Sequence, residues 1–589
     1  MAQILFDQLR DFTGGVNFRA DQFQLAKNES PFILNLDVDP RGGIFSRAGY
    51  KKKNTTAVSG TWNPKGLFNY KHSTSPSIML TTGSTEGATP SYGRVYWSTG
   101  DNFTAINISS VAAMDVASTN GASMTQWQDT LYMALGKAAP NMYKIDSPLD
   151  TYATPLLASS PTWQPYQIPT GGYMPKAELV IAHANKLFVA NTQELNNDAT
   201  PVNVSYPNRL RWSHENSPEN WYQQDYIDII AGGEGIRGLA VVDGQLLIFK
   251  PKAIYLLMGY DADSFQLVEL TTVLGIDYPQ QVVAGNGGAY FFDYPGGLFF
   301  YDRNGIQSLF DRLKPIIDTN RINANRLYDI TLSFINDRVW MSAPFDLYDS
   351  GTNPDYPNMN FIFDPSIGRQ GAFTLYQSAT YANAATPSAI LGYGLVSGCD
   401  WQDSNDDVWH LMINPNDAYA HVMYVDEFDY TSNIPTNVTD DILEGDDLGD
   451  FETYYKTSWF YDDRYVQDKT FVNSLYVVKA VTEETQIKVN VYHNFNTKNL
   501  ITNHTIFLDP IISGGTYSED SSGGVYGTAV YGQNILKQGI QVGGRLKRAK
   551  AVQLEFVGPT GEISSTAGRE WGLNSIAFKY KRRQIRSNS

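Results

Sequence analysis

The sequence is poor in the groups that most active-site chemistry needs. Of its 589 residues one is cysteine, Cys399. A disulfide within the chain is therefore excluded, and so is a zinc site built on thiolates. Histidine is scarce, with seven in all: His72, His183, His214, His410, His421, His493 and His504. None falls in an H-E-x-x-H or other metal-ligand spacing. There is no G-x-S-x-G elbow and no Walker A loop. The glycine-rich "GGEGIRG" at 232–238 lacks the lysine and the following helix of a phosphate cradle, so it reads as a turn feeding "LAVVDGQLLIFK". No catalytic, cofactor-binding or metal-ligating set emerges. The expectation is a chain that is not an enzyme and carries no cofactor.

Positive charge is also short. Lys and Arg number 44 against 61 Asp and Glu, a formal net charge of −17. A general nucleic-acid binder would be basic, because phosphate contacts supply most of its affinity. Long apolar runs are missing, and none approaches the 18 residues of a membrane-spanning helix. The opening "MAQILFDQLRDF" lacks a basic region followed by an apolar core, so no signal peptide is expected and assembly is expected in a cytoplasm. Helical periodicity is scarce. Its best instance, "RLKPIIDTNRINANRLY" at 312–328, is short.

What is abundant points to strands and turns: 37 Tyr, 29 Phe, 49 Gly and 28 Pro. One pattern recurs: a turn, an apolar-aromatic strand, a second turn, then a strand ending in an aromatic residue. Its returns are marked by Ile78, Leu131, Leu187, Leu246, Ala289, Val339 and Val408, at intervals of 43 to 69 residues. Four strands with their turns fit that length, which is one propeller blade. A blade cannot bury both faces alone and must stack on neighbours. The fold class is therefore mainly β. It is expected to be a β-propeller of six to eight blades over 61–430, with hairpins in stacked sandwiches as the alternative.

Beyond residue 430 the texture changes. "DDILEGDDLGDFE" at 440–452 holds seven acids and no base. It lacks the alternating register of a calcium loop, so it reads as a solvated acidic loop. Then follow "TFVNSLYVVKAV", "TQIKVNVYHNF", "KAVQLEFVG" and "LNSIAFKYKRR", which alternate apolar and polar residues. Residues 431–589 are expected to form a second, sandwich-like β domain. A Gly/Tyr/Ser stretch at 513–534 reads as a long exposed hairpin or loop that becomes ordered against a partner, and the basic end as a tail that binds nucleic acid or pairs with an acidic neighbouring subunit. Paired carboxylates for glycoside cleavage would be sought first in "DWQDSNDDVW" at 400–409, which otherwise reads as an acidic turn.

Residues 1–60 pose a separate question, because they form a mostly polar arm with turn chemistry at both ends of its middle portion. It contains Gly14 to Asn17, then Asn28 to Ser30, Asn35 to Asp39, and Arg41 to Gly43 with Arg47 and Gly49. Further on come "RWS" with Pro218 and Trp221, the strand pair at 236–259, and the closing strand at 573–583. In this order the segments resemble phage tail proteins of the tail tubular protein B or nozzle type, from short-tailed phages. The resemblance implies a homo-oligomer, a hexameric ring that docks on portal and adaptor proteins and contacts tail fibres or other tail proteins. It implies residence in the virion and genomic DNA passing through the ring without specific binding. It also gives the arm a role, ordered against subunit and adaptor neighbours. Under it, Asp440, Asp441, Glu444, Asp446, Asp447, Asp450 and Glu452 are candidates for a channel-lining acidic loop. The competing reading is a receptor- or carbohydrate-binding tail protein, or a glycan-cleaving propeller, with Trp212, Trp221, Trp401 and Trp409 as stacking platforms.

Overall fold

The computed structural model describes residues 4–582, apart from a series of stretches of which the longest are 84–92, 108–114, 148–153, 156–162, 165–174, 196–201, 348–353, 379–393, 415–421, 442–447, 509–535, 541–548 and 559–570. Among the described residues, seven four-stranded antiparallel units follow one another. Blade 1 runs from Pro64–Tyr70 to Thr104–Ala105, and blade 2 from Ser123–Trp127 to Thr154–Pro155. Blade 3 runs from Lys176–His183 to Tyr226–Asp228, blade 4 from Gly238–Val242 to Gln266–Thr271, and blade 5 from Val282–Gly285 to Gly305–Ser308. Blade 6 runs from Thr331–Ile335 to Ala372–Tyr376. Blade 7 begins at Val396–Gln402 and passes through Val408–Ile413 and Val422–Tyr424. The expected propeller is present, with seven blades.

Each blade's first strand faces the axis and touches the first strand of its neighbour around the ring, from blade 2 through blade 7 and on to blade 1. Blades 1 and 2 are tied by Ala122 N donating to Thr81 Oγ1 (2.7 Å) and Lys71 N donating to Gln126 Oε1 (2.9 Å).

Strand periodicity explains the stacking. Successive side chains point to opposite faces, and here both faces are buried. In blade 2, Leu131 and Met133 pack toward Met79 and Val95 of blade 1, while Tyr132 and Ala134 pack toward Leu187 and Val189 of blade 3. In blade 4, Leu246 and Ile248 meet Phe188 and Leu210, while Leu247 and Phe249 meet Ala289 and Phe291. The middle of such a second strand is therefore an unbroken apolar run, as at residues 246–249. All seven marker residues of the sequence repeat lie on second strands.

The last blade is completed from the other end of the chain. Lys51–Lys52 pairs antiparallel with Val422–Tyr424 as the fourth strand of blade 7. Lys53 N donates to Val422 O (2.8 Å), and Val422 N donates to the buried Asn54 Oδ1 (2.8 Å).

The opening segment corrects a sequence expectation. Residues 1–60, expected to be an arm ordered by subunit and adaptor neighbours, make extensive contacts within the chain. Ile4–Leu9 pairs with the closing strand Trp571–Arg582, and Ile44–Ser46 pairs with that strand further along. Phe32–Leu34 lies between the last strand of blade 6 and Thr453–Lys456, which joins blade 6 and the C-terminal strands into one nine-stranded sheet. Phe12, Val16, Ile33 and Leu36 are fully buried. All four enter one core, together with Leu9, Leu34, Val38 and Ile44.

The C-terminal strands form a sandwich. One layer is Thr453–Lys456, Val552–Gly558, Thr485–His493 and Asn496–Leu508, and the other is built on Lys469–Ala480 and Trp571–Arg582. Phe460 against Phe578 (4.4 Å between rings) and Phe556 against Trp571 (6.4 Å) fill the space between them. The helical signal at 312–328 becomes one short helix, Lys314–Asp318, and a 3-10 turn at Ala324–Asp329. No helix among the described residues is long and apolar enough to cross a membrane.

Candidate functional site

A cavity of about 300 Å³ lies on the propeller axis. Five first strands or their approaches contribute to its wall: Lys65 and Leu67 from blade 1, Asn120 to Met124 at blade 2, Glu178 to Val180 from blade 3, Gly238 and Leu239 from blade 4, and Pro279, Gln280 and Val282 at blade 5. The wall is thus mixed. Leu67, Met124, Leu179, Leu239 and Val282 are apolar, and Lys65, Asn120, Ser123, Glu178 and Gln280 are polar.

Lys65 reaches this wall through a β-bulge. Pro64 pairs with Thr82 and Gly66 with Thr81, so Lys65 is an extra residue on its strand. Bulges re-aim side chains in this way. The lysine stem is enclosed by close backbone: a Cβ added to Gly121 would sit 2.7 Å from Lys65 Cβ, and φ at that glycine is +81°. Lys65 Nζ has two polar contacts, both long, to Tyr328 O (3.3 Å) and Asp329 Oδ1 (3.4 Å). It also lies 5.5 Å from the Tyr328 ring centre. Burial pushes the ammonium below the usual lysine range, and Asp329 opposes that shift.

A second bulge stands beside the first. On the first strand of blade 7, Val396 pairs with Ile413 and Gly398 with Met412, leaving Ser397 extra. Its φ is +38°, in the left-handed region, where a non-glycine residue costs about 1 kcal/mol or more. Ser397 Oγ donates to Lys65 O (3.0 Å), Ser397 N donates to Thr331 Oγ1 (3.2 Å), and Gly398 N donates to Ser333 Oγ (2.7 Å). Three blades are therefore latched where Lys65 enters. Elsewhere on the wall Glu178 Oε1 accepts from Lys137 N (3.2 Å), and Gln280 Nε2 makes one long contact to Tyr328 O (3.4 Å), the carbonyl that Lys65 Nζ also contacts. Gln280 Oε1 is buried and has no partner among the described residues.

None of these residues was singled out from sequence. "NPKGLF" reads as an ordinary strand start, and a bulge depends on a partner strand that sequence does not show. Of the acidic candidates, Asp440 and Asp441 lie on a short strand paired with Leu448–Gly449, beside Lys51–Lys52. Glu444, Asp446, Asp447 and Asp450 lie outside the described residues. Glu452 is exposed, and its carbonyl accepts from Asn35 Nδ2 (2.8 Å). The stretch 513–534 and the last seven residues also lie outside the described residues.

The tryptophans proposed for stacking do not form a platform. Trp212, Trp221 and Trp401 are buried, each within a core between blades. Trp409 is half-buried, with its Nε1 donating to Asp403 Oδ2 (3.2 Å). The segment 400–409 is a hairpin. Asp403 Oδ1 caps its turn by accepting from Asn405 N (2.8 Å) and Asp407 N (3.0 Å), while Asp400 Oδ1 lies 2.7 Å from His410 Nδ1.

No protein-family model matches the chain, and no curated protein does. Solved structures that it is similar to include one titled "Structure of Dos1 propeller", at 8% identity over 65% of this chain and 95% of that one, with a TM-score of 0.32. A glucose dehydrogenase is similar at 14% identity over 51% of this chain and 97% of that one, with a TM-score of 0.27. Trypanosoma rangeli sialidase in complex with the inhibitor DANA is similar at 9% identity over 94% and 95% of the two chains, with a TM-score of 0.28. At such scores the superpositions are loose, and the propeller assignment stands on the sheet order described above. Two of the three are named as enzymes, so a propeller of this kind gives no ground for excluding catalysis. The expectation of a non-enzymatic chain is corrected accordingly.

Proposed function

We propose that the chain is a structural subunit of a short-tailed phage tail, of the nozzle or tail tubular protein B type, which assembles as a ring around the path of the genome. The observation that carries this reading is where the residues of the resemblance sit. Those of the opening pattern converge on one joint between blade 6 and the C-terminal sandwich. Asn35 Oδ1 accepts from Arg47 Nε (2.9 Å) and Gln377 N (2.8 Å). Asp37 is paired with Arg338 (3.1 Å) and accepts from the Tyr376 hydroxyl. Asn17 Nδ2 donates to Glu29 Oε2 (2.9 Å), beside the pairing of Gly15–Val16 with Glu29–Ser30. A pattern in which Asn35, Asp37 and Arg47 build one joint, while Arg41 stays exposed and pairs with Asp39, is largely a signature of architecture, which suits a subunit of an assembly.

The DNA path belongs to the axis of the ring of subunits. A net charge of −17 keeps DNA from adhering to the subunit. At physiological salt that repulsion reaches about 8 Å.

Native mass measurement of the full chain, alone and mixed with its cognate portal–adaptor complex, tests the reading. Six added copies per complex are expected. A chain that stays monomeric and adds no mass to the complex overturns it.

A further inference from the structure

The chain contains three Asn-Gly steps, at Asn120, Asn286 and Asn304, and the fold holds them differently. We propose that Asn286, at the tip of the first hairpin of blade 5, is a site of spontaneous deamidation, and that the fold protects the other two. This inference rests on the hairpins alone and is independent of the assembly proposed above.

The chemistry needs only water. The backbone nitrogen of the following glycine forms a bond to the asparagine Cγ, and its proton goes through solvent to the side-chain nitrogen. The Cγ–Nδ2 bond breaks and ammonia leaves, closing a cyclic imide. Water adds to one of the imide carbonyls and cleaves its C–N bond, so the product is aspartate or isoaspartate. Either one places a carboxylate where a neutral amide stood, and isoaspartate also routes the backbone through Cγ. Glycine favours the attack because no Cβ obstructs the rotation of its peptide.

Three features single out Asn286. The first is the attacking nitrogen. Asn286 and Gly287 are the two loop residues inside the closing pair Gly285–Gly288, so Gly287 N lies outside the ladder and donates to nothing among the described residues. Gly305, in contrast, is itself the closing partner of Asp302 in its ladder, and Gly121 N donates to Ser118 O (3.4 Å). The second is the side-chain amide. Asn286 is exposed, and its Nδ2 makes one long contact, to the Tyr290 hydroxyl at 3.4 Å, so turning Cγ toward Gly287 N breaks little. Asn304 is held twice by Asp302, with its N donating to Oδ1 (2.8 Å) and its Nδ2 donating to Oδ2 (2.9 Å). That carboxylate also opposes the negative charge that develops on the amide oxygen during attack. The third is room. A Cβ added at Gly287 would meet nothing within 4 Å, whereas one added at Gly121 would lie 2.7 Å from Lys65 Cβ. The Asn120–Gly121 peptide therefore cannot turn without displacing the first strand of blade 1.

The modified residue would stand beside Tyr290, whose ring stacks on Phe334 of blade 6 at 6.1 Å. The new charge thus arrives at the seam between two blades.

Peptide mapping by mass spectrometry, after incubation of the full-length protein at mildly alkaline pH, reads each site separately as a gain of about 1 Da. In the folded protein Asn286 is expected to react roughly tenfold faster than Asn120 or Asn304, because reaction at those two waits on local opening. In urea the three rates should converge, which separates the effect of the fold from that of neighbouring residues. Asp302→Ala should speed Asn304 severalfold, and Asn286→Gln should abolish the gain in its own peptide. Equal rates in the folded protein, faster reaction at Asn120 or Asn304, an unchanged ranking in urea, or an Asn304 rate indifferent to Asp302→Ala would each overturn the proposal. None of these results bears on whether six copies join a portal–adaptor complex.

Discussion

Blades 6 and 7 are neighbours in the ring, and the opening segment completes both by different means. At blade 6 the strand Phe32–Leu34 adds to the outer edge, in parallel, at the single register point Leu375–Leu34, and hands the sheet on to Thr453–Lys456. Backbone pairing there is sparse, and side chains hold the joint. Arg47 is fully buried, donates to Asn35 Oδ1, Ala48 O and Gln377 O, and lies 4.0 and 3.7 Å from the ring centres of Tyr50 and Phe451. At blade 7 the strand Lys51–Lys52 restores an ordinary antiparallel ladder, with Asn54 as a buried side-chain acceptor. A sheet edge is thus completed by a backbone ladder with one buried side-chain acceptor, whereas the joint between two domains through a minimal strand rests on several buried side chains.

The first way to break this comparison is Arg47→Ala. It removes a large buried side chain and three donated hydrogen bonds, so a loss of about 3 kcal/mol or more is expected from denaturant unfolding. Asn54→Ala in blade 7 leaves one buried amide, and a loss of about 1–3 kcal/mol is expected. If the two variants cost the same, the contrast between joint and closure is wrong.

A third measurement sharpens the contrast from the C-terminal side of the joint. Glu555 is 4% exposed and accepts from Tyr492 OH (2.7 Å), Asn490 Nδ2 (2.8 Å) and the Tyr454 hydroxyl, with Lys456 Nζ at 3.4 Å. Burial pushes its carboxyl up to about 7. An unfolded glutamate titrates near 4.3, so the folded state holds this proton longer. The stabilisation from that proton is present at about pH 4–5 and is lost as pH rises through 7. Glu555→Gln should therefore gain in thermal midpoint relative to the parent between pH 5 and pH 8, and a flat difference would refute the assignment. The smallest effect is expected inside blade 6. Asp337 holds φ +56° in the hairpin between its first two strands, and Asp337→Gly should stabilise by a few tenths to about 1 kcal/mol on thermal unfolding.

Much of the propeller was legible because each second strand is buried on both faces, which writes an unbroken apolar run such as "LLIF" into the chain. The axial site was not legible. Lys65 and Ser397 are placed by bulges, and a bulge is defined by a partner strand's register, which no local pattern reports.

By itself the sequence determined the β class, the repeat length and the shift in texture near residue 430, because these depend on alternation and turn residues close together in the chain. Only the tertiary structure decided that there are seven blades, that Lys51–Lys52 closes the last, and that Phe32–Leu34 sews the propeller to the sandwich. Those pairings span hundreds of residues and rest on backbone hydrogen bonds, which every residue but proline can make and which therefore leave little trace in composition.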